Sequence, residues 1–89
     1  MKDIKELRQE IDLIDKQMKV LFFKRKETAY QIGEYKKANN LPIFDPKREE
    51  EIINKIKEDN DIDSSLLPLY IEFVKSIMNI SKDYQKTVK

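Results

Sequence analysis

Apolar residues along the first 38 positions recur every third or fourth residue, the spacing of one face of an α-helix. The positions on this face are Ile4, Leu7, Ile11, Ile14, Met18, Leu21, Thr28, Ile32 and Tyr35. No proline interrupts the stretch, and the only glycine of the chain, Gly33, comes late in it. The pattern predicts a single helix of about ten turns, roughly 50 Å long.

A helix of that length cannot cover its apolar face with the remainder of an 89-residue chain, because a globule of this size is much narrower than the helix is long. A second copy of the chain is the natural partner for such a face. We therefore expect an intertwined homodimer in which the long helices of two chains pack against each other.

Two shorter helices are predicted after the long one. The expected bounds of the three helices are about 3–39, about 46–59 and about 64–86. The ends are inferred from Asp3, Asn39-Asn40, Asp45-Pro46 and Asp63, which are residue types that cap or terminate helices. The sequence thus predicts one all-α domain, residues 1–89, of three helices that are long, short and medium in length.

Charge and composition narrow the classes of function. The chain has 18 lysine and arginine residues against 17 aspartate and glutamate residues, so no basic field attracts nucleic acid or an anionic membrane. It has no cysteine and no histidine, which excludes disulfides, thiol nucleophiles, imidazole bases and the usual zinc sites. No apolar run approaches the ~20 residues of a membrane span. We expect a cytoplasmic protein that acts through charge and shape.

One position on the apolar face of the long helix carries a cation, Arg25, where packing favours a hydrocarbon. Lys36 follows eleven residues later, so the two residues lie within about 20° around the helix and ~16 Å apart along it. Together they could hold a small anion lying along the helix. The alternative is that Arg25 borders the face and extends into solvent, with Lys36 simply solvated. Periodicity alone leaves both interpretations open.

Three other polar residues border apolar faces. Arg8 is next to Leu7 on the first helix, and Ser81 and Gln85 are four residues apart on one face of the third helix. Each is also consistent with ordinary helix surface when taken alone.

Taken together, these residues form a set of motifs that extends over nearly the whole chain. The motifs are Leu7-Arg8-x-x-Ile11-Asp12-x-Ile14-Asp15, Phe23-Lys24-Arg25-Lys26, Ile32-Gly33-x-x-Lys36, Leu41-Pro42-Ile43-Phe44-Asp45-Pro46-x-Arg48-Glu49 and Ile77-Met78-x-x-Ser81-x-x-x-Gln85. In these motifs the chain resembles the all-helical chorismate mutase family. The resemblance implies a homodimer with crossing first helices and two identical sites that convert chorismate to prephenate in phenylalanine and tyrosine biosynthesis, without a cofactor or a metal.

The resemblance also implies roles for single residues. Arg25 and Arg8 would bind the two carboxylates of the substrate, with Arg8 supplied by the other subunit. Lys36 and Gln85 would point at the ether oxygen of the breaking bond. Geometry supports the supply of Arg8 in trans, because on one straight helix Arg8 lies ~25 Å from Arg25 and ~42 Å from Lys36.

The remaining roles concern the substrate ring. Glu49 would accept a hydrogen bond from the ring hydroxyl, assisted by backbone near Asp45 and Arg48, and Ser81 would contact the ring carboxylate. Asp45 has a second role as the cap of the second helix. The implied apolar wall consists of Ile32, Ile52 and Met78.

Three alternatives stay open. A related branch of the same fold cleaves isochorismate to pyruvate and salicylate, but the Asp45-x-x-Arg48-Glu49 run favours the mutase. A silent helical dimer that binds chorismate as a regulator or serves as an interaction module is a second possibility, against which the presence of both Lys36 and Gln85 argues. The chain could also be one domain of a bifunctional protein, although its ends at Met1 and soon after Gln85 favour a free-standing enzyme.

Overall fold

The computed structural model describes residues 1–89 and consists of three α-helices without a β-strand. The helices are α1 (Ile4–Ala38), α2 (Pro46–Lys57) and α3 (Leu67–Lys86). The predicted all-α fold with a long, a short and a medium helix is confirmed. None of the three helices is both long and apolar enough to cross a membrane.

Helix α1 begins and ends at the residues that the sequence marks. The Asp3 carboxylate accepts a hydrogen bond from the backbone N–H of Glu6 at 2.8 Å, which satisfies a donor that the first turn leaves without a partner. At the other end, the side-chain amide of Asn39 donates to the Tyr35 carbonyl at 2.8 Å. Asn40 then takes the left-handed conformation with φ 54°, which stops the helix.

Helix α2 starts at Pro46, and the Asp45 carboxylate accepts from the backbone N–H of Arg48 at 3.1 Å. This bond makes Asp45 the N-terminal cap of α2. The helix ends at Lys57, two residues before the expected end near position 59. At the start of α2, the Asp45 carboxylate is engaged in the bond to Arg48.

Helix α3 starts at Leu67, three residues later than the expected start near position 64. The Asp63 carboxylate accepts from both the backbone N–H and the hydroxyl of Ser65, each at 2.9 Å. These bonds hold the segment in a turn instead of a first helical turn. They also lower the pKa of the Asp63 carboxyl, with the backbone bond as the larger cause.

The chain on its own has a very small core. Helix α3 packs against both α1 and α2, and the only buried residues are Ala29, Gly33, Met78 and Gln85. Every residue from 1 to 28 is exposed, including Ile11 at 55% and Leu21 at 63%. The first two thirds of α1 therefore present an apolar face that nothing in the same chain covers.

Candidate functional site

A pocket of about 420 Å³ lies between the C-terminal half of α1, the start of α2 and the C-terminal half of α3. Its volume falls within the range of ~300–1,000 Å³ that is typical of small-molecule sites. Seven of the eight predicted site residues line it, namely Arg25, Lys36, Asp45, Arg48, Glu49, Ser81 and Gln85. The predicted apolar wall of Ile32, Ile52 and Met78 lines it as well.

Lys36 and Gln85 are directly bonded. The Lys36 ammonium donates to the side-chain oxygen of Gln85 at 2.9 Å and to the carbonyl oxygen of Ile43 at 2.7 Å. An ammonium group has three donors, so one remains for a ligand. Lys36 is half-buried and bonded, so the interpretation of this residue as simply solvated is wrong.

The orientation of the Gln85 amide follows from the same bond. Gln85 is 8% exposed, and its oxygen accepts from Lys36. No buried side-chain nitrogen or oxygen lacks a partner, and the amide nitrogen makes no bond within the chain. That nitrogen is therefore accessible to solvent. Because Gln85 lines the pocket, its amide nitrogen is a donor available to a ligand.

Arg25 of α1 lies in the pocket wall in contact with α3. Its guanidinium donates to the Ser81 hydroxyl, and partial burial lowers the pKa of the guanidinium. The three ion pairs of the chain are Lys2 with Glu10, Arg48 with Glu51 and Lys82 with Glu49. Neither Arg25 nor Lys36 has a carboxylate partner, so both cations are available to a bound anion.

The start of α2 contributes the acidic side of the pocket. Glu49 forms an ion pair with Lys82 of α3, with Nζ and Oε2 3.1 Å apart. The Arg48 side chain pairs instead with Glu51 at 3.5 Å on the exposed side of α2, and the Asp45 side chain caps the helix. Asp45 and Arg48 therefore offer the pocket backbone groups more than side chains.

Lys82 is a pocket residue that the sequence analysis missed. It directly follows Ser81 and precedes Asp83 on α3, and a lysine on a helix surface usually extends into solvent. Only the packing of α2 against α3 brings it to Glu49. The sequence signal that could have found it is its place three residues before Gln85, on the same side of α3.

Arg8 is the one predicted site residue that the structure does not bring to the pocket. It is exposed and lies 17 residues before Arg25 in the uninterrupted helix α1, about 25 Å away along the axis. Within one chain Arg8 and Arg25 therefore cannot touch the same small molecule.

The charge of the pocket suits an anionic ligand. Lys82 and Glu49 neutralise each other, and the side chains of Arg48 and Asp45 are bonded within α2, so Arg25 and Lys36 remain as the pocket cations without a carboxylate partner. A carboxylate-bearing molecule would meet donors on two sides, in a site where partial burial strengthens each charged hydrogen bond. The arrangement can bind an anion and stabilise developing negative charge.

Gly33 is a point of close approach between α1 and α3. A Cβ atom at this position would lie 2.9 Å from the Gln85 Cα and 3.0 Å from the Gln85 carbonyl oxygen. Real Cβ atoms do not approach backbone that closely, so any larger residue must displace the end of α3. Gly33 lies about one helical turn before Lys36 on α1, so this contact sets how closely Gln85 approaches that part of the helix.

Residues 7–86 match the family described as Chorismate mutase type II. The chain is 37% identical over 89 residues to the bifunctional chorismate mutase/prephenate dehydratase of Aquifex aeolicus, in an alignment that covers 92% of this chain and 25% of that protein. It is 45% identical over 49 residues to the T-protein of Haemophilus influenzae, covering 55% of this chain and 13% of that protein. The chain thus spans a quarter or less of these relatives.

A solved structure has the same fold. It is a conserved hypothetical protein from Pyrococcus furiosus, with a TM-score of 0.73 and 43% sequence identity. The match covers 92% of this chain and 93% of that one. The arrangement of the three helices is therefore shared with that protein over nearly the whole chain.

Proposed function

The chain belongs to the chorismate mutase type II family, and from this premise we propose that its pocket converts chorismate to prephenate in a site completed by a second copy of the chain. The family places the protein among the isomerases of aromatic amino-acid biosynthesis. The observation that carries the proposal is the Lys36–Gln85 pair beside the unpaired cation Arg25.

The chemistry explains why these residue types suffice. A Claisen rearrangement breaks a C–O bond and forms a C–C bond within one molecule, without proton transfer, so it requires neither a base nor a nucleophile. The protein must hold a flexible dianion in its folded, reactive conformer. It must also stabilise the negative charge that grows on the ether oxygen as the C–O bond lengthens. The free cations and donors of the pocket suit both tasks.

Arginine is the residue type suited to the first task. A guanidinium fork fixes the orientation of a carboxylate better than the point charge of a lysine does. Arg25, bonded to Ser81 and free of any carboxylate, binds one carboxylate of the substrate in this proposal. Arg8 of the second copy binds the other, and Ser81 contacts the ring carboxylate.

Lys36 and Gln85 serve the second task. Both would donate to the ether oxygen, the lysine through its third N–H and the glutamine through its free amide nitrogen. A donor held in advance toward a developing charge contributes about 3 kcal/mol or more to the transition state. Their mutual bond of 2.9 Å fixes both side chains before the substrate arrives.

Glu49 completes the recognition of the ring. Its Oε2 pairs with Lys82, and its Oε1 has no partner within the chain and can accept a hydrogen bond from the ring hydroxyl. Backbone groups near Asp45 and Arg48 assist at the start of α2. Glu49 is also the feature that favours the mutase over cleavage of isochorismate.

The second copy is part of the proposal for two reasons. The exposed apolar face of residues 4–28 needs a partner of the same length, and an antiparallel α1 from a second chain would bring its Arg8 to the pocket around Arg25. A two-fold axis then produces two identical sites. The intertwined homodimer thus explains the uncovered face and the distant arginine together.

Identification of the products tests the proposed reaction. Incubated with chorismate, the protein is expected to form prephenate, and with isochorismate it should form neither pyruvate nor salicylate at a comparable rate. The measurement is chromatographic identification of the products, with Arg25→Ala as the inactive control. Salicylate as the main product would assign the chain to the lyase reaction, and no product from either compound would favour a silent binding dimer.

Gly33→Ala tests the close approach of the helices. The added methyl group meets the backbone of Gln85 and must move the end of α3 by several tenths of an ångström, which weakens the Lys36–Gln85 geometry. We expect kcat for chorismate to fall about tenfold or more, whereas Glu34→Ala on the exposed side of α1 leaves it unchanged. Wild-type kcat in Gly33→Ala would contradict the importance of this contact.

A further inference from the structure

Lys82 is held in the pocket by two contacts on different elements. Its ammonium pairs with Glu49 Oε2 of α2 at 3.1 Å. It also lies over the ring of Phe44, 4.7 Å from the ring centroid, within the range of a cation–π contact. An ordinary surface lysine on α3 would have neither contact.

This ion pair differs from the other two in its shielding from water. The Lys82 and Glu49 side chains are 23% and 27% exposed, against 57% and 51% for Arg48 and Glu51. Exposed pairs contribute little because water and salt screen them. The shielded pair has a defined geometry and lies in the wall of the pocket.

The pair leaves one oxygen of Glu49 for a ligand. Lys82 occupies Oε2, so rotation of the carboxylate is restricted and Oε1 remains free to accept. An unpaired carboxylate at this place would also repel a substrate that carries two negative charges. Lys82 therefore acts on Glu49 in two ways, by orienting the carboxylate and by balancing its charge.

We propose that Lys82 is a positioning residue for recognition of the substrate, which holds Glu49 as the acceptor for the ring hydroxyl and cancels its repulsion of the substrate dianion. The inference rests on the proposed function, because it takes chorismate as the ligand. It assigns to Lys82 no contact with the reacting atoms. Its effect should appear in binding, since the hydroxyl bond is made in both the ground state and the transition state.

Lys82→Met is the first variant to measure, because methionine keeps most of the side-chain length without the charge. We expect KM for chorismate to rise about tenfold with kcat within about twofold of wild type. Lys82→Arg keeps a cation that can pair with Glu49 and should restore KM to within about threefold. Lys75→Met is the matched control, since Lys75 lies two turns earlier on the same side of α3 and is exposed without an ion pair.

A double-mutant cycle separates positioning from a structural role. In a Glu49→Gln background there is no carboxylate for Lys82 to hold, so adding Lys82→Met should change KM by less than about twofold. The double variant contains no unpaired charge at this pair, so it can be measured even if Lys82→Met alone unfolds. If Lys82→Met does unfold, Lys82→Gln in the wild-type background is measured in its place.

Two outcomes would overturn the inference. One is a wild-type KM in Lys82→Met, and the other is an equal rise of KM with and without Glu49. Both require a wild-type enzyme that forms prephenate. Failure of the proposed function is distinct, because the wild-type protein itself would then form none.

Discussion

Lys36→Ala and Gln85→Ala are each expected to lower kcat for chorismate at least about a hundredfold while the protein remains folded. Each substitution removes one of the two donors that the proposal directs at the ether oxygen. The loss of one such donor in a shielded site raises the barrier by about 3 kcal/mol or more, which corresponds to a factor of ~100 or above in rate. The effect falls on kcat because the charge on the oxygen exists only in the transition state.

Initial rates of prephenate formation measure this effect, with circular dichroism as the check of folding. The matched controls are Lys37→Ala and Lys86→Ala, since both lysines are exposed neighbours in the sequence outside the pocket. Lys36 also bonds the Ile43 carbonyl, so Lys36→Ala is the variant in which a change of fold must be examined first. Turnover near the wild-type level in either variant would refute the assignment of these donors.

The helices could be predicted because their signals are local. The apolar face of α1 repeats over more than thirty residues, and Asp3 and Asp45 form the cap bonds that their positions indicate. The predicted start of α3 near position 64 is wrong, because the Asp63 carboxylate accepts hydrogen bonds from Ser65, two residues later, and so does not cap a helix. An aspartate can cap a helix or stabilise a turn. The two hydrogen bonds differ little in free energy, and the spacing of residues does not reveal which one forms.

The pocket could be predicted in part for the same reason. Helical geometry alone places Arg25 and Lys36 on the same side of α1, ~16 Å apart along it. Whether Gln85 joins them in one pocket depends on how α3 packs against α1. The family motif indicated this contact, whereas the periodicity of apolar residues did not. The close approach at Gly33 likewise follows from the distances to Gln85 and not from the spacing of residues along the chain.

Lys82 shows what a sequence pattern leaves out. In the sequence it is one of 18 basic residues in a chain with 17 acidic ones, and only its place three residues before Gln85 connects it with the pocket. Its role follows from the shielding of its pair with Glu49 and from the ring of Phe44 beneath it. Both depend on the packing of the loop and α2 against α3, which are contacts between distant parts of the chain.

Arg8→Ala and Arg25→Ala homodimers are each expected to be nearly inactive, because each loses a guanidinium that binds a substrate carboxylate in both sites. A bidentate arginine–carboxylate pair is among the stronger contacts in such a site. Arg8 lies about 25 Å from Arg25 on the same helix, so the account requires the two groups of one site to come from different chains. A mixture of the two inactive variants should therefore regain activity.

The expected recovery follows from symmetry. When the two variants are unfolded together and refolded in equal amounts, random pairing makes about half of all dimers mixed. In a mixed dimer one site combines the intact Arg25 of one chain with the intact Arg8 of the other, while the second site lacks both. One site in two is restored in about half of the dimers, which corresponds to about a quarter of wild-type activity.

The chorismate mutase activity of this refolded mixture is the measurement that most directly tests a site shared between two chains. If the site is shared, the mixture should reach about a quarter of the wild-type rate per chain, a level that neither refolded parent approaches. Mass spectrometry under native conditions establishes that mixed dimers are present. Activity near zero in a sample that contains them would contradict the supply of Arg8 from the second chain.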